Sequence, residues 1–174
     1  ILELCNRKGE VMMKKFFSSI SIIALVLLSA CSNESGEFLV WDMDGFSLSS
    51  EETYYFVGKI EWTGEEPAKI ESIDLIKENG DSITYENDGI EYEFFGADPL
   101  KQIGIYFGEA DVGDIKSLNG MEIDGEGRIV LKVILGEVKE DDGRKMKINF
   151  KVDGEKREEI LDWHLVKRLS TTSD

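Results

Sequence analysis

Histidine occurs once in this chain of 174 residues, and cysteine and proline twice each. Each scarcity closes off a class of chemistry. A Ser-His-Asp system would have to be built on His164, and no Gly-x-Ser-x-Gly elbow supplies its nucleophile. The bland expectation for His164 is a surface or strand-edge position. Zinc sites of the common His/Cys types lack ligands. Two cysteines are too few for a disulfide framework. Basic residues are also short: 20 Lys+Arg stand against 36 Asp+Glu, a formal net charge of −16. A surface this acidic repels phosphate backbones, so no nucleic acid is expected as a partner. Only one long apolar run exists, which argues against a polytopic membrane protein. With 41% hydrophobic and 32% charged residues, the balance is that of an ordinary globular chain.

The apolar run, Ile20 to Leu28, is broken only by Ser21 and preceded by Lys14 and Lys15. Ser29 and Ala30 follow, then Cys31. A basic start, an apolar middle and small residues at the end make residues 13–30 a secretory signal peptide, too short for a membrane span with stop-transfer flanks. Leu28, Ser29, Ala30 and Cys31 resemble the lipobox of bacterial lipoproteins. The resemblance implies that the Cys31 thiol receives diacylglycerol and that signal peptidase II cuts before it. In many bacteria the new amino group is then acylated. On this expectation Cys31 is the lipidated first residue of a mature chain on the extracytoplasmic face of the cell membrane. Its partner is the bilayer, through the anchor, and it needs no cofactor beyond the covalent lipid. Two or three acyl chains, at about 0.8 kcal/mol per buried methylene, anchor stably where one is marginal.

Residues 1–12 stand ahead of this layout and read as an upstream extension, with Met12 or Met13 as the start and no redox role for Cys5. Without residues 1–30 the chain keeps 16 basic and 34 acidic residues, a net −18. Cys31 is then the only cysteine, which excludes a nucleophilic Cys, a disulfide and a thiolate metal site. Residues 31–37 are polar and without periodicity after the cysteine, the composition of a short flexible tether.

Residues 38–169 read as one all-β domain. Tyr54 to Trp62, Ile90 to Phe94 and Met146 to Val152 alternate with period two. Arg128 to Leu135 is nearly continuous and apolar, as a strand buried on both faces would be. About eight strands are expected, near 38–41, 54–62, 69–77, 90–95, 103–107, 128–138, 145–152 and 156–166. Seven Asx-Gly pairs punctuate them, from Asp44-Gly45 to Asp153-Gly154, and both residue types tolerate the positive φ of tight turns. In Glu155 to Leu169, a helix would align Leu161, Leu165 and Leu169. A strand would align Leu161, Trp163 and Leu165, with His164 opposite. The preceding Asp-Gly turn favours the strand. The fold expected is an antiparallel immunoglobulin-like β-sandwich, with a small β-barrel as the alternative and residues 170–174 as a tail.

Candidate chemistry is sparse. Asp42, Asp44 and Glu51 fall at positions 3, 5 and 12 of a partial EF-hand-like calcium loop, but Val40 occupies the first ligand position and no flanking helices are evident. Glu137 to Asp142 reads as a solvated hairpin loop able to bind a hard cation weakly. Tyr54, Tyr55, Trp62, Tyr85, Tyr92, Tyr106 and Trp163 would form a glycan or peptide platform if several shared one face. No catalytic residues are assigned. The expectation is a non-enzymatic binding or assembly module with an envelope protein as partner. The rivals are a carboxylate-dependent envelope hydrolase and a weak calcium-binding surface protein.

Overall fold

Asp153 and Gly154 both have positive φ, 53° and 80°. That is the two-residue turn whose twist suits a hairpin. It joins β9 (Lys145–Val152) to β10 (Glu155–Leu161), which pair antiparallel from Glu155↔Val152 to Leu161↔Met146. The expected return of the last segment onto residues 146–152 is therefore present. The computed structural model describes residues 36–44, 47–108 and 112–172. The chain divides into units Ile1–Ser35 and Gly36–Asp174. The signal segment, Leu28 to Cys31 and tether residues 32–35 lie outside the described residues.

The second unit is an antiparallel β-sandwich. One sheet carries β1 (Phe38–Val40), β2 (Thr53–Trp62), β8 (Glu126–Leu135), β4 (Ile90–Ala97) and β6 (Ile115–Ser117) in that order, with β5 (Gly104–Phe107) also on β2. The other runs β10-β9-β3-β7, with β3 at Ala68–Ile76 and β7 at Glu122–Ile123. The order β1-β2-β8-β4 against β10-β9-β3 is the ABED/GFC arrangement of an immunoglobulin-type sandwich. Two short helical turns, α1 (Tyr85–Asp88) and α2 (His164–Lys167), sit at one end.

Between β4 and β8 the chain makes a long excursion that delivers three edge strands. β5 pairs with β2 through Tyr54↔Phe107 to Val57↔Gly104, continuing the edge that β1 covers at Ile60 to Trp62. β6 pairs with β4 at Phe95 to Ala97, and β7 with β3 at Ala68 and Lys69. Covering edges in this way removes templates for aggregation. The outer strand β10 is protected differently, by the charges of Glu155, Lys156, Arg157, Glu158 and Glu159.

The core lies between the sheets. Phe38, Trp62 and Phe150 pack at centroid distances of 4.8, 5.0 and 5.3 Å and tie the two sheets at one end. Ile129, Leu131, Val133 and Leu135 of β8 join this cluster. Val130, on the other face of β8, is buried with Val57 and Ala97, against which Tyr55, Phe95 and Tyr106 pack. β8 is thus buried on both faces over its middle, as its continuous apolar run requires.

Ten strands are present among the described residues where about eight were expected, β6 and β7 being the additional ones; β8 ends at Leu135 rather than 138, and other boundaries differ as well. β10 stops at Leu161 rather than 166, because its partner β9 begins at Lys145 and no ladder exists beyond it. Trp163 is buried and His164 opens α2, so His164 is not in a strand. Folded structure continues past 169: Thr171 N donates to Val138 O at 2.9 Å and Thr172 N to Leu48 O at 3.0 Å. Gly36 and Glu37, assigned to the tether, belong to the domain. Glu37 and Thr63 exchange hydrogen bonds, and a Cβ on Gly36 would stand 2.3 Å from Gly64 N.

Candidate functional site

The end that carries α1 and α2 collects several of the residues singled out above. Trp163 Nε1 donates to Trp41 O at 2.7 Å, which holds the segment after β1 against the start of α2. Asp42 and Asp44 are brought to His164 in this way. Its Nδ1 lies 3.1 Å from Asp44 Oδ1 and 3.6 Å from Asp42 Oδ2. Its Nε2 accepts from Arg168 Nε at 3.0 Å, and Arg168 Nη1 bonds Glu140. A neutral imidazole serves both sides with the proton on Nδ1. The Nε2 lone pair that a general base would need is already engaged. This histidine organises loops.

Glu51 is not with Asp42 and Asp44. Its carboxylate accepts from Tyr85 Oη at 2.7 Å, and its backbone sits at φ 64° with N donating to Leu135 O at 2.7 Å. The acidic loop 137–142 is also committed in part. Asp141 accepts from Gly143 N at 2.8 Å, Asp141 N donates to Lys167 O, and Val138 is buried. Among the described residues no group of three or more His, Cys, Asp or Glu is placed to hold a metal ion.

The aromatics are divided between the two faces. Tyr54, Trp62 and Trp163 are core residues. Tyr92 is half-buried and bonds the backbone of Leu75, and burial pushes its phenol up. Tyr85 is committed to Glu51, whose hydrogen bond and charge, together with burial, raise its phenol. Only Tyr55 and Tyr106 stand side by side on the outer face of the larger sheet, as a cross-strand pair. The Tyr106 ring is already taken by Lys101 Nζ, 5.5 Å from its centroid, and its hydroxyl donates to Gln102 O. A continuous aromatic platform is not formed among these seven.

One concave feature lies on the open side between β3 and β4. A groove of about 510 Å³ has Ile73, Phe94 and Leu118 at its floor, Glu71 and Ser72 on one wall, and Phe95, Lys116 and Ser117 on the other. It is present because β7 pairs with β3 only at Ala68 and Lys69, and β6 with β4 only at Phe95 to Ala97. Beyond β7 the edge of β3 is met by loop groups: Ile70 by Met121 O and Gly120 N, Glu71 O by Asn119 Nδ2, and Leu75 by Tyr92 Oη and Ile83 N. At one end Tyr92 Oη bridges to Leu75 N at 3.1 Å. Past a register shift between Ile70 and Ser72, the groove meets a polar cluster on the smaller sheet: Asn149 Nδ2 donates to Ser72 Oγ at 2.9 Å and Ser72 Oγ to Asp74 at 3.0 Å. Glu71 and Glu93 both line the groove, which is the inventory a carboxylate mechanism would need. Glu71, however, bridges Lys151 and Lys156. The hydrogen bond and charge of Lys151, helped by Lys156, outweigh burial and hold its carboxyl below the usual range. A carboxylate held ionised suits the base or nucleophile role of such a pair and not the acid role.

Neither the groove nor the Ser72–Asp74–Asn149 cluster was singled out in the sequence. The available signal was weak: polar residues at outward positions of alternating strands. The groove's existence depends on how far two short edge strands extend.

No family model matches this chain, and no curated protein does. Among solved structures it is similar to a family 123 glycoside hydrolase from Clostridium perfringens, analysed for glycolipid glycan hydrolysis. The identity is 10%, and the match covers 72% of this chain with a TM-score of 0.35. The match spans 26% of that enzyme's length. A likeness this distant carries no functional argument.

Proposed function

We propose that this chain is a lipid-anchored envelope protein whose β-sandwich binds a partner, or mediates assembly, at the extracytoplasmic face of the membrane without catalysing a reaction. The observation that carries the reading is Leu28-Ser29-Ala30-Cys31 at the end of an apolar run, a few residues ahead of a folded domain. The open-side groove is the binding surface: an apolar floor of Ile73, Phe94 and Leu118 under polar walls, beside the part of the β4 edge that β6 does not cover. The Nε2 of His164 accepts from Arg168 and so lacks the free lone pair a general base uses.

Mass spectrometry of the membrane fraction tests the anchor. The expected product begins at diacylglyceryl-Cys31, and Cys31→Ala abolishes membrane retention. A soluble, unmodified native chain refutes the reading. A photo-crosslinking residue in place of Lys116, on the groove wall, should form an envelope adduct that the same residue in place of Glu86 does not.

A further inference from the structure

The edge of β4 is covered at one end only. β6 pairs with it at Phe95 to Ala97, and among the described residues no strand lies beside the stretch before Phe95 on that side. Gly136 N donates to Gly89 O at 2.8 Å, and the ladder with β8 runs on from Ile90↔Leu135. In an antiparallel ladder successive residues turn their backbone groups to one neighbour and then the other. Glu91 and Glu93 therefore bond β8, while Ile90, Tyr92 and Phe94 turn their N–H and C=O groups to the open side. Ile90 is wholly buried, whereas Tyr92 is half-buried and Phe94 lines the groove, so the reachable edge is that of Tyr92 and Phe94. The side chains of Glu91 and Glu93 are exposed on the outer face of the sheet. Glu93 stands opposite Lys132 in the ladder, yet among the described residues neither acid is in an ion pair. A hollow of about 120 Å³ lies beside them, lined also by Lys132 and Ile134.

We infer that this edge takes an added strand from a basic partner protein: an extended segment in which two lysines or arginines flank an apolar residue. This names the partner chemistry of the groove and rests on the binding role proposed for it above. A strand laid beside β4 bonds the main-chain groups of Tyr92 and Phe94. Its residues opposite Glu91 and Glu93 fall on the outer face. There a basic side chain meets an unpaired carboxylate and lays its methylenes toward Ile134. The residue between them falls on the inner face, toward the floor of Ile73, Phe94 and Leu118, where an apolar side chain leaves no polar group unsatisfied. Lys116, on β6, stands at the far end of the groove and repels a further basic residue there. A second copy of this chain offering the same edge would set Glu91 and Glu93 against their own counterparts, so self-pairing is disfavoured. The excess of acids over the whole domain adds a long-range attraction for a basic segment.

The test reads amide hydrogen exchange of the full chain in detergent micelles. The probe is a capped peptide, Thr-Thr-Lys-Val-Lys-Thr-Thr, with Thr-Thr-Glu-Val-Glu-Thr-Thr as its control. The lysine peptide should bind saturably at low salt and slow exchange at the Tyr92 and Phe94 amides about tenfold or more, because only a paired strand ties up those two N–H groups. Glu91→Lys with Glu93→Lys, both at exposed positions, should weaken that binding about tenfold or more and transfer it to the glutamate peptide. Equal binding of the two peptides, binding of neither, or saturable binding of the lysine peptide without protection at Tyr92 and Phe94 overturns the inference. Failure of the lysine peptide while a crosslinking residue in place of Lys116 still gives its envelope adduct overturns the partner chemistry and leaves the groove as a binding surface. Failure of both overturns the groove reading as well.

Discussion

Glu159, on the exposed edge strand of one sheet, accepts the backbone N–H of Phe38, on the first strand of the other, with both carboxylate oxygens at 3.2 and 3.1 Å. An inward-pointing charge on an edge strand discourages pairing with another chain. Here it also joins the two sheets where the domain begins. Burial pushes the Glu159 carboxyl above its ordinary value of 4.5, the Phe38 N–H pulls it back, and the neighbouring Glu37 charge adds to the rise.

The pH dependence follows from that direction. A carboxyl raised in the folded state favours the protonated form there, so its contribution is full below 4.5 and is lost as pH rises through the folded value. Glu159→Gln keeps an acceptor for Phe38 and removes the buried charge. The expected result is a Tm at neutral pH equal to or above the parent's and a flatter Tm–pH curve just above 4.5. Glu71 and Glu126, held low by their lysine and arginine partners, act oppositely. Their contribution is present above 4.5 and lost as pH falls through their folded values. An unchanged curve for Glu159→Gln, measured by thermal melts across pH, contradicts the assignment.

Arg144 is the buried cation among the described residues, 5% exposed. It donates to Val166 O at 3.2 Å, Leu169 O at 2.7 Å and Lys139 O at 2.5 Å, fastening the residues after β10 to the loop before β9. Arg144→Ala leaves three carbonyls without that donor. At about 1 kcal/mol or more for each, the loss in urea unfolding should be roughly 3 kcal/mol or greater. Arg144→Lys, lacking the planar fork, should recover only part of it. A loss within 0.5 kcal/mol of zero, the range of an ordinary surface change, would refute the role.

Gly58 sits on β2 where the edge passes from β1 to β5, and a Cβ there would stand 2.9 Å from the Trp41 ring. The Trp41 backbone is held by the hydrogen bond its carbonyl accepts from Trp163 Nε1. Gly58→Val should therefore destabilise by about 1–3 kcal/mol through overpacking. Trp41→Ala in the same background should relieve part of that strain, a coupling that a double-mutant cycle reads directly.

The net charge of −18 that remains without residues 1–30 makes the domain self-repelling. At 0.01 M salt the screening length is about 30 Å, comparable with the domain itself. Sodium chloride should raise Tm. Calcium should add nothing saturable beyond an ionic-strength match, because Asp42 and Asp44 turn to His164 while Glu51 bonds Tyr85. A saturable calcium increment that Asp42→Asn with Asp44→Asn removes would reverse this.

The strands and their turns were legible in the sequence because the signals that make them are local. Alternation in Met146 to Val152 needs no partner to be seen. The Asp153-Gly154 turn is dictated by which residues tolerate positive φ. The nearly unbroken run of β8 likewise announced burial on both faces. Tertiary structure alone decided the rest. β6 and β7 are three and two residues long, and they exist because the excursion between β4 and β8 passes beside the open edges of β4 and β3. In the last segment both periodicities were present. The strand ends at Leu161 because β9 offers no further partner, and α2 follows with its Val166 carbonyl met by Arg144. Burial of Tyr54 beside exposure of Tyr85 could not be seen in composition, because an aromatic side chain gains on either face of a sheet until its neighbours are placed. The groove, and the pairing of Asp42 and Asp44 with His164 instead of Glu51, join residues far apart along the chain. Their distances are properties of the folded sandwich, and no local pattern encodes them.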